Sequence, residues 1–233
     1  MIKFNVIYTY ILYSLLIGNF CYGSTVEKKY KIIVIGEKQV GKTSLITQLF
    51  DKEFQMESIA TTSLDKRTYE YKVKDGVKYN FDIWDTIGQD KMTFQNKIFH
   101  KNANGIMAVY DITNMKSFEH LEDIINSALE ITGKDTPVMI VANKSDLFDY
   151  QAVEHTNGEN LAKKYNGEFC ATSATTYNDT YPAFEKLFDI VIEDVKQKEE
   201  KKQQQEKIIQ IQTIDEISKD DNNHNTYKCC WCC

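Results

Sequence analysis

A glycine-rich segment early in the chain has the composition of a phosphate-binding loop. Residues 36–43 read Gly-Glu-Lys-Gln-Val-Gly-Lys-Thr and match the pattern G-x-x-x-x-G-K-S/T. They follow an apolar run at 32–35, typical of a buried strand, and precede a helical pattern. In that setting backbone N–H groups point at phosphate oxygens, Lys42 reaches the β- and γ-phosphates, and the Thr43 hydroxyl ligates Mg²⁺. The segment therefore predicts nucleotide binding rather than a plain glycine-rich turn.

Two further polar segments end predicted strands. Residues 85–89, Asp-Thr-Ile-Gly-Gln, follow the run 77–84, and residues 143–146, Asn-Lys-Ser-Asp, follow the run 138–142. Open α/β sheets bind ligands at the carboxyl ends of their strands. A phosphate-binding loop alone is compatible with guanine or adenine nucleotides as ligands and with kinases and ATPases as protein classes. These two further segments narrow the possible ligands and classes.

The elements that must position these residues alternate along the chain. The sequence predicts strands at 30–35, 77–84, 105–111, 138–142 and 168–172, and helices at 117–132, 156–165 and 181–195. Residues 69–74 and 77–84 flank Asp75-Gly76, a pair typical of tight turns, and predict a hairpin with one antiparallel edge strand. The alternation predicts an α/β fold with a mostly parallel sheet.

With these motifs in hand, the chain resembles the small GTPases of the Ras superfamily, and most of all the Rab branch. The resemblance rests on residues 84–89, 105–113, 143–146 and 172–174, which occur in order with the family's approximate spacing. It implies a GTPase (G) domain at 28–197, with a mostly parallel six-stranded sheet, one antiparallel edge strand and helices on both faces. It also implies binding of GTP/GDP with Mg²⁺, and slow GTP hydrolysis.

The resemblance assigns roles to single residues in the nucleotide site. The phosphates are expected to contact Gly36, Glu37, Lys38, Gln39, Val40, Gly41, Lys42, Thr43, Ser44 and Gly88. The guanine base is expected to contact Asn143, Lys144, Asp146, Ser173, Ala174 and Phe54. The Asp146 carboxylate would select guanine, because it accepts from N1 and the exocyclic amine, a pattern that adenine lacks. Phe54 is equally well explained as a buried core aromatic.

Metal and catalytic roles follow from the same resemblance. Mg²⁺ is expected at Thr43, Thr62 and Asp85, with Thr61 nearly as well placed as Thr62. Gln89 and Lys42 are the expected catalytic residues, Gln89 by orienting the attacking water, and a partner commonly supplies an arginine finger.

Several positions depart from the family pattern. Lys38 and Gln39 stand at phosphate-loop positions where relatives usually have small residues, near the expected path of the arginine finger. Their side chains either crowd the finger or point into solvent. Ile87 and residues 63–67 also differ from the Rab pattern, so effector identity is not inherited. Thr175 stands where relatives usually have lysine, so a minor contact of the base loop is not carried over.

The two ends of the chain give conflicting signals. Residues 1–24 resemble a secretory leader, whereas the ending Cys-Cys-Trp-Cys-Cys resembles the paired cysteines of prenylated Rab proteins, with Cys232 and Cys233 as the lipidation sites. We expect the leader to be foreign to the native protein, a membrane-anchored variant being the alternative. Residues 198–233 are expected to form a flexible or partly helical tail.

Composition and resemblance together predict the partners. A net charge of −6 without a basic stripe argues against nucleic acid. Of six cysteines, four crowd into the last five residues, which excludes a disulfide framework. The resemblance implies a monomer that regulates vesicle traffic on the cytoplasmic face of intracellular membranes and cycles with the cytosol. Its expected partners are exchange factors, activating proteins, effectors, and escort and GDI-type proteins. The alternative function is a constitutively GTP-bound adaptor that is anchored to the membrane and hydrolyses little.

Overall fold

A mostly parallel sheet organises the fold. The computed structural model describes residues 28–52, 65–73, 76–86 and 99–224, with side chains placed through residue 209. Its strands are β1 (Lys29–Ile35), β2 (Asp65–Lys72), β3 (Lys78–Asp85), β4 (Gly105–Asp111), β5 (Val138–Asn143) and β6 (Glu168–Ala171). Its α-helices are α1 (Lys42–Asp51), α2 (Met115–Glu119), α3 (Leu121–Thr132), α4 (His155–Lys164) and α5 (Tyr177–His224), and a 3₁₀ helix spans Ser145–Tyr150.

Within the described ranges these strands form one six-stranded sheet in the order β2-β3-β1-β4-β5-β6. Only β2 runs antiparallel to its neighbour, β3, and the remaining pairs are parallel. The predicted α/β fold and its antiparallel edge strand are therefore confirmed. In the register Val34 lies beside Asp85 and Asp111 beside Asn143, so the carboxyl ends of the parallel strands share one edge.

Helices cover both faces of the sheet. On one face, α1 and α5 bury Leu45, Leu49 and Phe188 against the strands. On the other face, α3 and α4 bury Ile125 and Leu161. Strand β5 is buried along its whole length, as its apolar run at 138–141 predicts, and β4 beside it is equally buried.

The helix boundaries differ from the sequence prediction: α4 is shifted by one residue, α5 begins at Tyr177 instead of 181, and two differences are larger. The helix predicted at 117–132 is divided into α2 and α3, and α2 begins earlier because the Asn114 side chain caps it by accepting from the Lys116 N–H at 3.1 Å. The helix predicted to end at Val195 continues to His224.

Good helix-forming residues and charge pairs account for the extension of α5. The segment after Val195 is rich in Lys, Glu and Gln, all favourable in helices. Lys198 pairs with Asp194 one turn earlier at 2.6 Å, and Lys28 pairs with Glu199 at 2.8 Å. No helix in the described part of the chain is both long enough and apolar enough to cross a bilayer.

Candidate functional site

The phosphate-loop motif forms the turn between β1 and α1, as the sequence predicted. Gln39 (φ 64°) and Gly41 (φ 95°) are left-handed, and Gly41 is the N-cap of α1. The first-turn N–H groups of a helix have no acceptor within it, so this end of α1 is suited to an anion. Lys38 and Gln39 are exposed, and Ser44 lies in the first turn of α1.

Lys42 lies under this loop with its ammonium bound to backbone carbonyls. Its Nζ donates to Gly36 O at 3.0 Å and Glu37 O at 2.7 Å, and the residue is only 6% exposed. Burial lowers the pKa of Lys42 to about 8, while the nearby Asp85 and Glu37 carboxylates act in the opposite direction. A bound polyphosphate would favour the charged ammonium more strongly than these carbonyls do.

Thr43 and Asp85 meet beside the loop. The Thr43 hydroxyl donates to Asp85 Oδ2 at 2.6 Å, and Asp85 is 4% exposed at the end of β3. Burial raises the pKa of Asp85, opposed by the Thr43 hydrogen bond and by Lys42. Its Oδ1 is buried and finds no hydrogen-bond partner within the described residues. A hydroxyl and a carboxylate with an unused oxygen are ligands that suit Mg²⁺, directly or through water.

Asn143 joins the phosphate loop to the predicted base-binding segment. From the end of β5 its Nδ2 donates to Val40 O at 2.7 Å, across 103 residues of sequence. Its Oδ1 accepts from the Thr172 hydroxyl at 3.2 Å, and the residue is 1% exposed. Gly41 lies against the same amide, since a Cβ added there would meet Asn143 Nδ2 at 2.3 Å. The amide thus fixes the loop at a buried point.

The residues predicted to read the base also lie together. Ser173 Oγ donates to Asp146 Oδ1 at 2.5 Å, and Ala174 beside it is buried. Lys144 adopts a left-handed backbone, and its Nζ pairs with Asp111 Oδ2 at 2.6 Å. A carboxylate held by one hydroxyl retains acceptor capacity for donors on a ligand.

Other predicted site residues lie outside the described ranges, and their roles stay predictions: Phe54, Thr61, Thr62, Gly88, Gln89, Cys232 and Cys233.

The structure adds polar partners that sequence reasoning missed. Asp111 binds Lys144 and accepts from the Thr113 N–H at 2.9 Å, while Thr172 supports Asn143. Glu37 contributes more than its backbone, because its carboxylate pairs with His120 Nδ1. Asp111 could have been found by the rule that located the other motifs, since it too ends a parallel strand. The His120 pairing has no comparable local signal.

Comparison with known proteins agrees with this geometry. The sequence profile of the Ras family matches residues 31–193. The chain is 29% identical to the Ras-related protein Rab-15 of Homo sapiens over 205 residues, which is 87% of this chain and 96% of Rab-15. It is 34% identical to Rab-11B of Dictyostelium discoideum over 169 residues, covering 72% and 76% of the two chains. It is 33% identical to Rab-8B of Pongo abelii over 174 residues, covering 75% and 84%. The chain therefore belongs to the Ras family and is a GTP-binding small GTPase of its Rab branch.

Proposed function

We propose that this protein is a Rab-like switch that cycles between GTP and GDP, hydrolyses GTP slowly and regulates intracellular vesicle traffic in its GTP state. The observation that carries the proposal is the Asn143 amide, which ties the phosphate loop to the base segment through Val40 O at 2.7 Å. One ligand with a guanine at one end and phosphates at the other would use both halves of the site.

The phosphate half would work through charge and backbone dipoles. The N-terminus of α1 and the buried Lys42 face the same loop, so a polyphosphate would meet both an ammonium and oriented N–H groups. Thr43 and Asp85 would hold Mg²⁺ together with Thr62 from outside the described residues. The metal would neutralise charge on the phosphates.

The base half would select guanine over adenine. Ser173 holds one carboxylate oxygen of Asp146 at 2.5 Å, which orients the group toward N–H donors of a base. Guanine presents two adjacent donors at N1 and N2, and adenine does not. A base that lacks this pair of donors would leave an acceptor of the carboxylate without a partner in the complex, so it would bind less tightly.

Hydrolysis would need groups from outside the described ranges. Gln89 would position water and Gly88 would contact the γ-phosphate, while Thr62 would release its loop when that phosphate is lost. Positioning and charge neutralisation account for most catalysis in this chemistry, so we propose that an activating protein accelerates a slow intrinsic rate. Exchange factors, effectors, and escort and GDI-type proteins complete the proposed cycle.

We further propose attachment to membranes through prenyl groups on Cys232 and Cys233. Two lipid chains give stable anchoring where one is marginal. The helix α5 continues from Val195 to His224, a length on the order of 40 Å at about 1.5 Å per residue. That segment would hold the G domain away from the cytoplasmic membrane surface.

The test is nucleotide affinity of the full chain, measured for GTP and ATP with Mg²⁺. Wild type should prefer GTP by orders of magnitude, and Asp146→Asn should lose most of that preference because an amide cannot accept on both atoms. Asp149→Asn is the matched control, since Asp149 lies exposed on the same 3₁₀ segment and should keep the preference. Equal affinity of wild type for ATP and GTP would overturn the proposal.

Bound nucleotide separates the cycling switch from the GTP-bound adaptor. Protein purified from cells should carry mostly GDP if it cycles, whereas mostly GTP would point to the adaptor. Single-turnover hydrolysis of Lys38→Gly and Gln39→Gly then reports whether these exposed loop residues obstruct an activating protein.

A further inference from the structure

A second hydroxyl lies behind the residue that orients Asp146. Thr175 Oγ1 is 2.6 Å from Ser173 Oγ, and the Thr175 backbone N–H also donates to Ser173 Oγ at 3.2 Å. Ser173 itself is 2% exposed and donates to Asp146 Oδ1 at 2.5 Å. Three residues thus form one hydrogen-bonded chain that ends at the carboxylate.

The chemistry of these groups fixes the direction of every proton in that chain. An ionised carboxylate only accepts, so the single Ser173 proton must go to Asp146. The Thr175 hydroxyl must then donate to Ser173, whose two lone pairs are taken by Thr175 Oγ1 and Thr175 N.

We propose that Thr175 is a positioning residue for guanine recognition, acting on Asp146 through Ser173. The inference rests on the proposed function, in which the Asp146 carboxylate selects guanine. A hydroxyl that accepts a hydrogen bond becomes a stronger donor, so Thr175 strengthens the bond that holds the carboxylate.

The consequence is greatest for a ligand that needs both donors of guanine. Accepting from N1–H and from the 2-amino group requires the carboxylate to lie in the plane of the base. A base with N1–H alone tolerates a rotated carboxylate. Inosine triphosphate has that single donor and otherwise matches GTP, so the ratio of GTP to ITP affinity reports the orientation of Asp146.

The experiment compares Thr175→Val, which keeps the branched shape, with Thr175→Ser, which keeps the hydroxyl. Dissociation constants for GTP and ITP are measured on nucleotide-depleted full chain with Mg²⁺. Loss of one hydrogen bond predicts about fivefold weaker GTP binding in Thr175→Val and a smaller loss for ITP, so the GTP:ITP ratio falls about threefold. Thr175→Ser should restore the wild-type ratio.

The outcomes separate this inference from the function on which it rests. Equal losses for GTP and ITP in Thr175→Val would mean that the loop is merely loosened, and wild-type affinities for both nucleotides would mean that Thr175 does not act on Asp146; both overturn the inference. Wild type that does not prefer GTP to ATP would instead overturn the proposed function. Should Thr175→Val fold poorly, Thr175→Ala supplies the same test, with an intermediate ratio because water can enter the space left by the hydroxyl.

Discussion

Replacing Gly41 with alanine tests whether the phosphate loop and the base segment are one mechanical unit. The backbone at Gly41 has φ 95°, a conformation that side chains rarely adopt. An added Cβ would also lie 2.3 Å from Asn143 Nδ2, the atom that donates to Val40 O. The substitution therefore strains the backbone and displaces the Asn143 amide from its acceptor.

The two effects can be sized separately. A left-handed non-glycine residue costs about 1–2 kcal/mol. Leaving buried partners of the Asn143 amide unsatisfied costs about 1–3 kcal/mol more. Gly41→Ala should therefore lower the free energy of unfolding by about 2–5 kcal/mol. GTP affinity should fall about 5- to 150-fold, because ligand binding must restore the displaced amide.

Gly76 provides the matched control. Its φ is 90°, but a Cβ added there meets nothing within 4 Å. Gly76→Ala should cost only the backbone strain, about 1–2 kcal/mol, and should leave GTP affinity unchanged. Urea denaturation of both variants, with nucleotide titrations of each, isolates the contribution of the collision.

A double-mutant cycle with Asn143→Ala completes the test. With the amide removed, Gly41→Ala should cost little more than Gly76→Ala, which gives a coupling energy of about 1–3 kcal/mol between the two positions. Additive effects, or a Gly41→Ala cost no larger than that of Gly76→Ala, would refute the argument that Asn143 and the loop are coupled.

Two further predictions concern the stability of the fold. His100 is 3% exposed, and burial lowers its pKa to about 4, so the folded chain keeps it neutral while the unfolded chain protonates near its ordinary pKa of 6.5. Stability should fall by on the order of 3 kcal/mol as pH drops from about 6.5 to about 4, and His100→Gln should remove that part of the loss in pH-dependent urea denaturation. Phe188 is fully buried with its ring centroid 4.2 Å from that of Phe81, so Phe188→Ala should cost about 3–5 kcal/mol in the same assay; a cost below about 1 kcal/mol would contradict the packing.

Most of the sheet could be predicted from the sequence because its signals are local. Apolar runs mark β1 and β5 as strands covered on both faces, and both lie within one or two residues of the predicted limits. The extension of α5 was predicted only as one of two forms of the tail, flexible or partly helical, because a run of Lys, Glu and Gln buries little. Its helical form depends on propensity and on pairs such as Asp194–Lys198 rather than on a core.

Sequence motifs predicted which residues belong to the candidate site, but not the contacts between them. The motifs identify Lys42 and Asp146 as site residues, but the bond from Asn143 to Val40 depends on strand order and register. The Lys144–Asp111 ion pair likewise could be predicted only once β4 was known to lie beside β5. Long-range polar contacts of this kind have no periodic signature in the sequence.

The strand order explains why residues so far apart in sequence form one site. The connection after β1 leads into α1, which packs on one face of the sheet. The connection after β4 leads through α2 into α3, which packs on the opposite face. Because β1 and β4 are neighbours, their connections diverge and open a crevice at their carboxyl ends, the position where open α/β sheets bind ligands. Asn143 ends β5, the next strand in the sheet, and reaches back across that crevice to Val40. Base recognition and phosphate binding therefore share one buried amide, so a substitution in either loop should weaken both.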